Sequence, residues 1–92
     1  MSASHEILVF ASKTDPASGH QRARNLVADL KARGLVARCI HKLSSNYIDL
    51  ELVARHRILH TPTVLVLREG STLLRLEEVP WVDTLLQYLS DA

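Results

Sequence analysis

The chain has 92 residues, of which 47% are apolar and 23% are charged, and its formal net charge is +1. This length and composition are typical of one globular domain with a single core. A net charge so close to zero argues against general attraction to nucleic acid or to a membrane surface. No signal-peptide pattern and no apolar run long enough to span a bilayer is present in the sequence. We therefore expect one cytoplasmic domain over residues 1–92.

The first half of the chain predicts two strands joined by a helix. Glu6–Phe10 is a short apolar run, typical of a strand that is buried on both faces. In the polar stretch that follows, Asp15 or Ser18 can cap a helix in which Pro16 takes the first position. The apolar side of that helix consists of Ala23, Leu26, Val27 and Leu30. Leu35–Ile40 then predicts the second strand.

The second half predicts a short helix, a β-hairpin and a last helix. Asn46 can cap the short helix, which should end near Arg57. Its predicted buried side consists of Ile48, Leu52 and Val53. Val64–Leu67 and Thr72–Leu76 are apolar runs separated by a short turn that contains Gly70, which indicates a hairpin. The apolar stripe of the last helix consists of Val82, Leu85, Leu86 and Leu89. The fold class is therefore α/β, in the order βαβαββα.

This order of elements, together with short motifs at matching places, resembles the thioredoxin-like superfamily. The motifs are Phe10 with the loop after it, Ile58, Thr61-Pro62-Thr63, the turn at Arg68-Glu69-Gly70, and Leu85 with Tyr88 and Leu89. The resemblance implies a mixed four-stranded sheet in the order second, first, third, fourth strand. It also implies that the first and third helices flank one face of the sheet and the second helix flanks the other.

The chain departs from the redox-active members of that superfamily. Those members carry a Cys-x-x-Cys pair at the start of the first helix, where the helix dipole stabilises a thiolate. The matching positions here are Asp15 and Ser18, and Cys39 is the only cysteine in the chain. Dithiol–disulfide exchange is therefore excluded, and no other catalytic constellation is present. We expect a redox-inactive protein without a cofactor.

Cys39 itself lies within the second predicted strand, and a free cysteine is usually a buried, small side chain. We therefore predict that Cys39 belongs to the core. The alternative is a redox protein that works with a single thiol at Cys39, which requires exposure and a positive neighbour. Exposure of this thiol distinguishes the two hypotheses.

Other polar side chains carry weaker signals. His56 and His60 are four residues apart, but no spacing in the chain repeats a known set of metal ligands, so we predict no metal site. His20, Arg22 and Arg24 make the start of the first helix basic, which predicts a solvated helix face. Because positive charge is unfavourable at a helix start, an anionic partner is the alternative.

Pro62 is the strongest candidate for function. The resemblance implies that the Thr61-Pro62 bond is cis and that the backbone of Thr61 pairs with an extended partner peptide, in the manner of strand addition. The candidate partner-binding residues are Asp15, Pro16, Ser18, His60, Thr61 and Pro62. The expected partner is a protein of unknown identity, and the chain itself should be a monomer or a weak dimer. A charged side chain at His60 or Thr63 should obstruct this surface and leave the fold intact.

A subgroup of the superfamily offers an alternative function. The segments Thr14–Ser18 and Ile58–Thr63 look similar to motifs of the circadian-clock protein KaiB and of kinase sensor domains that resemble it. These proteins also lack the cysteine pair. The similarity implies a KaiB-like regulator of a kinase or clock assembly, and it fades beyond Pro62.

Overall fold

The computed structural model describes residues 5–12, 20–41 and 46–91 of the chain. Four strands and three helices are present there, in the predicted order. They are β1 (His5–Ala11), α1 (His20–Ala32), β2 (Val36–His41), α2 (Tyr47–Arg55), β3 (Thr63–Arg68), β4 (Ser71–Leu76) and α3 (Val82–Asp91).

The four strands form one mixed sheet in the order β2-β1-β3-β4, which confirms the predicted order. β1 runs parallel to β2 and antiparallel to β3, and β3 and β4 form the hairpin. β1 has two neighbouring strands, and its residues from Ile7 to Ala11 are all buried. The apolar run that predicted a strand covered on both faces therefore lies inside the sheet.

The hairpin turn has the backbone conformation expected for a short turn that contains glycine. Its two central residues, Glu69 and Gly70, have φ values of 52° and 84°. Positive φ at both positions is the turn geometry whose twist matches that of the flanking strands, and glycine adopts it without a steric cost. Further along the hairpin, Val66 pairs with Leu74 while Leu67 pairs with Thr72. Leu73 is thus an extra residue, so β4 contains a β-bulge.

The helices cover the two faces as the resemblance implied. α1 and α3 pack on one face, whose buried core comprises Ile7, Val9, Ala11, Ala23, Leu26, Val27, Leu30, Ala37, Val64, Val66, Val79 and Leu85. We call this the α1/α3 core. On the other face Leu52 and Val53 of α2 pack against a smaller group, the α2 core, which comprises Leu8, Phe10, Ile40, Ile58, Leu65 and Leu67.

The prediction for α2 was right at its start and wrong at one core position. The Asn46 side chain accepts hydrogen bonds from the backbone N–H groups of Ile48 and Asp49, at 2.9 and 3.2 Å, which confirms the cap. Ile48 was expected in the core but is 61% exposed. A helix rotates by about 100° per residue, and Leu52 and Val53 face the sheet, so Ile48 projects from the side of α2.

The C-terminal end of α2 is hydrogen-bonded to the edge strand β4. The helix ends at Arg55, close to the predicted end near Arg57, and Arg57 has a positive φ of 51°, which turns the chain out of the helix. The guanidinium of Arg75, in β4, donates hydrogen bonds to the carbonyl oxygens of His56 at 2.8 Å and Arg57 at 3.1 Å. Because terminal helix carbonyls lack partners within the helix, these bonds satisfy two acceptors and connect α2 to the last strand.

Candidate functional site

The candidate site lies at the end of the sheet where β1 and β2 finish and β3 begins. Phe10 pairs with Thr63, and Ala11 pairs with His41, so the residues just before Thr63 lie beside the end of β1. This arrangement follows from the parallel β1–β2 pair and the antiparallel β1–β3 pair. His60, Thr61 and Pro62 are therefore adjacent to the point from which the chain continues towards residues 13–19.

The segment before β3 is exposed or half-buried after its first residue. Ile58 is buried in the α2 core, whereas Leu59 and His60 are exposed and Thr61 and Pro62 are half-buried. The Thr61-Pro62 peptide bond is cis. In the part of the chain that the structure describes, no hydrogen bond is made by the backbone N–H or C=O of Thr61.

Thr63 does not belong to this surface, contrary to expectation. Its side chain is completely buried, and its hydroxyl donates a hydrogen bond of 2.7 Å to the carbonyl oxygen of His60. A lysine at Thr63 would place a charge in the core, so it would disturb the fold. His60, by contrast, is exposed and can be changed without removing core contacts.

The structure brings together three of the six predicted partner-binding residues. His60, Thr61 and Pro62 form one continuous segment at the end of the sheet. The other three, Asp15, Pro16 and Ser18, lie outside the described residues, as do the two predicted caps of α1.

Cys39 is exposed, so its prediction as a core residue was wrong. The physical reason is the position of β2 at an edge of the sheet, where only Ala37 and Ile40 of this strand are buried. Neighbouring atoms still cover enough of the thiol for desolvation to raise its pKa, an effect that the nearby Arg24 opposes in part. A raised pKa keeps the thiol protonated at neutral pH and lowers its reactivity.

A contact between α1 and the residues before α3 was not foreseen. The Arg22 guanidinium donates a hydrogen bond of 3.0 Å to the carbonyl oxygen of Val79 and lies 5.4 Å from the centre of the Trp81 ring, a cation–π distance. Trp81 remains 76% exposed. The basic start of α1 is therefore partly structural, because Arg22 contacts two residues instead of only solvent.

An open cleft of about 220 Å³ adjoins this contact. Its lining consists of Arg22, Asn25, Leu26, Asp29, Val79, Pro80, Trp81 and Val82. The cleft could not be predicted from local sequence, because its walls come from α1 and from the distant segment around Trp81.

The described residues contain no group of three histidine, cysteine, aspartate or glutamate side chains that could hold a metal ion. His56 is half-buried and His60 is exposed. Among the described helices, none is both long and apolar enough to cross a membrane.

Comparison with solved structures identifies the fold. The chain superposes on thioredoxin-2 of a malaria parasite with a TM-score of 0.72 and 17% identity, over 100% of this chain and 86% of that one. For thioredoxin f2 of Chlamydomonas reinhardtii the TM-score is 0.71 and the identity 14%, over 99% and 81% of the two chains. For Fasciola hepatica thioredoxin the TM-score is 0.71 and the sequence identity 15%, over 97% of this chain and 81% of that one.

No protein-family model matches the chain, and no curated protein matches it by sequence. Identities this low together with TM-scores this high describe a shared backbone and say nothing of a shared activity. The chain has a thioredoxin-like superfamily fold.

Proposed function

We propose that this chain is a non-catalytic thioredoxin-fold module that binds a partner protein through His60, Thr61 and Pro62. One observation carries the proposal: the only cysteine, Cys39, lies within β2 and not at the start of α1. A dithiol reaction needs two neighbouring thiols, so a thioredoxin fold with one thiol inside a strand lacks the means for it.

The backbone of Thr61 supports a binding role. Its N–H and C=O make no hydrogen bond within the described chain, and they lie next to the exposed residues Leu59 and His60. An extended peptide that pairs with these groups gains main-chain hydrogen bonds, while side chains such as His60 select the sequence. The proposed interface also includes Asp15, Pro16 and Ser18. These residues follow β1 in the chain, and β1 ends beside His60, Thr61 and Pro62.

The test compares two variants that introduce the same charge. His60→Glu adds a carboxylate beside Thr61, and Ser71→Glu adds one at the exposed hairpin turn, at the opposite end of β3. Partners captured by the native domain are identified by mass spectrometry, and their affinities for all three proteins are measured by calorimetry. We expect His60→Glu to weaken binding by about tenfold or more, since an interface centre is sensitive to such a change. Equal affinities for the native domain and His60→Glu would remove this segment from the interface.

The non-catalytic part has its own test. The pure protein should not reduce the disulfides of insulin in the presence of dithiothreitol faster than dithiothreitol alone does, because Cys39 has no second thiol. Measurable turnover that disappears in Cys39→Ser would overturn the proposal.

A single-thiol function of Cys39 is a second candidate, and its exposure favours it. The raised pKa opposes it, since less thiolate is present at neutral pH. The rate of alkylation by iodoacetamide, followed across pH, decides between the two. We expect slow alkylation at pH 7, whereas a reactive thiol would be alkylated rapidly there. The KaiB-like alternative stays a prediction, and it requires the half of the domain after α2 to rearrange.

A further inference from the structure

The sheet has two edge strands, and only one of them is protected against pairing with another strand. Within the described residues β2 pairs with β1 alone, and β4 pairs with β3 alone. β4 carries the bulge at Leu73, which interrupts its regular ladder. Bulges, prolines and outward charges are the usual means by which proteins block an open edge.

β2 has neither a bulge nor a proline, although it carries one outward charge at Arg38. Its six residues pair with β1 in an uninterrupted register, and it contains neither proline nor glycine. The one arginine of this strand, Arg38, is held by Asp49 of α2 in an ion pair of 3.0 Å. The charge that could repel an approaching strand is therefore partly neutralised within the chain.

The helical layers cover β2 only in part, since Ala37 and Ile40 are its only buried residues. Val36 is 54% exposed on the face that α2 covers, and Cys39 is exposed on the face that α1 covers. The ion pair between Arg38 and Asp49 brings the first turn of α2 alongside this strand, and that turn carries the exposed apolar residues Tyr47 and Ile48. Among the described residues, no other strand pairs with the outer edge of β2, and exposed apolar residues lie beside it.

We propose that this edge binds a second copy of the chain, with the two β2 strands antiparallel about a twofold axis and the two four-stranded sheets joined into one. A twofold pair uses the same surface on both partners, so one open edge is sufficient for both. A net charge of +1 per chain provides little repulsion between copies. The proposal concerns β2 and does not depend on the function proposed for His60, Thr61 and Pro62.

The alternation of side chains restricts the register. A twofold axis perpendicular to the sheet places the α1/α3 faces of both copies on one side of the joined sheet and the α2 faces on the other. A β2 residue can therefore pair only with a β2 residue whose side chain lies on the same face. Near the middle of β2 the axis must then pass through Arg38 or through Cys39. An axis at Arg38 sets two guanidinium groups directly opposite each other, which is unfavourable, whereas an axis at Cys39 pairs Arg38 with Ile40.

Both registers place the two Cys39 residues close together. Directly opposite residues have Cα atoms about 5 Å apart, and diagonal neighbours lie within about 8 Å. Because Cys39 is the only cysteine, any disulfide between two chains must join these two residues. A separation of about 5 Å is compatible with disulfide geometry.

Association is measured by sedimentation equilibrium of the reduced protein over a range of concentrations. We expect a monomer–dimer equilibrium whose dissociation constant rises by about tenfold or more in Cys39→Lys, which sets two like charges at the axis. The matched control is Leu73→Lys, an exposed position on the other edge strand, which should leave the constant within about twofold. A chain that stays monomeric at its highest soluble concentration overturns the proposal, and so does a dimer that Leu73→Lys weakens as strongly as Cys39→Lys.

Oxidation of the unmodified chain is an independent test of the β2–β2 dimer. Diamide takes up the two electrons and two protons that are released when two thiols form a disulfide. We expect a covalent dimer at concentrations where the reduced protein already associates, reversed by dithiothreitol. The control moves the single thiol to the other edge in the double variant Cys39→Ser/Leu73→Cys, which should cross-link at least about tenfold more slowly if β2 is the interface. Equal rates for the two proteins indicate random collision and overturn the proposal.

Discussion

The two faces of the sheet are built on different interactions. The α1/α3 core contains twelve buried residues from strands, helices and the segment before α3, whereas the α2 core contains six, and none of them belongs to α2. Besides the packing of Leu52 and Val53, α2 is held by polar contacts: the Asn46 cap, the Arg38–Asp49 ion pair and the two hydrogen bonds from Arg75. One layer therefore depends mainly on apolar burial, whereas the other combines a smaller apolar core with directional contacts.

The largest expected difference between the faces is in leucine truncation. Leu85→Ala empties a completely buried site in the α1/α3 core and should lower the free energy of unfolding by about 3 kcal/mol. Leu52→Ala, at a half-buried position of α2, should cost about 1 kcal/mol, because less apolar surface is lost. Urea denaturation of both variants measures the difference. Equal losses would mean that the faces contribute alike.

Arg75→Met tests the polar attachment of α2. The change keeps an aliphatic side chain and removes both hydrogen bonds to the carbonyl oxygens of His56 and Arg57. We expect a loss of about 1.5 kcal/mol in the free energy of unfolding. Arg68→Met, at the exposed end of β3, is the matched control and should change stability by less than about 0.5 kcal/mol. If the two variants behave alike, Arg75 does not hold α2.

The Asn46 cap should contribute somewhat less. Asn46→Ala removes the acceptor for the N–H groups of Ile48 and Asp49 and should cost about 1 kcal/mol. Asn25→Ala is the control, an exposed position inside α1 where alanine is a better helix former. Thermal unfolding followed by circular dichroism should show opposite signs for the two variants. A neutral Asn46→Ala would indicate that the first turn of α2 is held by other contacts.

The smallest expected effect is a pH dependence at His56. Desolvation lowers the pKa of His56, Arg55 and Arg75 lower it further, and Glu6 opposes them. Its folded-state pKa is thus below the ordinary value of 6.5, and the unfolded chain takes up the proton first as the pH falls. Stability should therefore decrease below about pH 6.5 and should not depend on this group above it. The difference between the native chain and His56→Gln, measured from pH 7.5 to 5, isolates the effect. A constant difference across this range would contradict it.

The sequence was sufficient for the order of elements, the hairpin and most of the helical stripes. These features depend on residues that are close together in the chain, such as the runs on either side of Gly70 or the spacing of Val82, Leu85 and Leu89. The sheet order came from the resemblance, and comparison with solved thioredoxins supports it.

The burial of individual strand residues was predicted less accurately than the order of elements. One residue expected in the core is exposed, and one expected at the surface is buried. Cys39 was expected in the core and is exposed, because β2 lies at the edge of the sheet. Thr63 was expected at the surface and is buried, because β3 lies between two strands. Hydrophobicity suggests which residues can be buried, but neighbouring strands decide which of them are. The contact of Arg22 with Val79 and Trp81 joins distant segments and has no local signal at all.

The position of Trp81 has a consequence for spectroscopy. It is the only tryptophan in the chain, and its indole is already mostly in water in the folded state, beside the Arg22 guanidinium. Its fluorescence should therefore change little in wavelength when the core unfolds, and its intensity should follow the separation of the α3 start from α1. Circular dichroism, in contrast, follows the sheet and the helices. Two unfolding curves recorded with these probes coincide only if that junction and the core open together, so the pair of curves measures how cooperative the domain is.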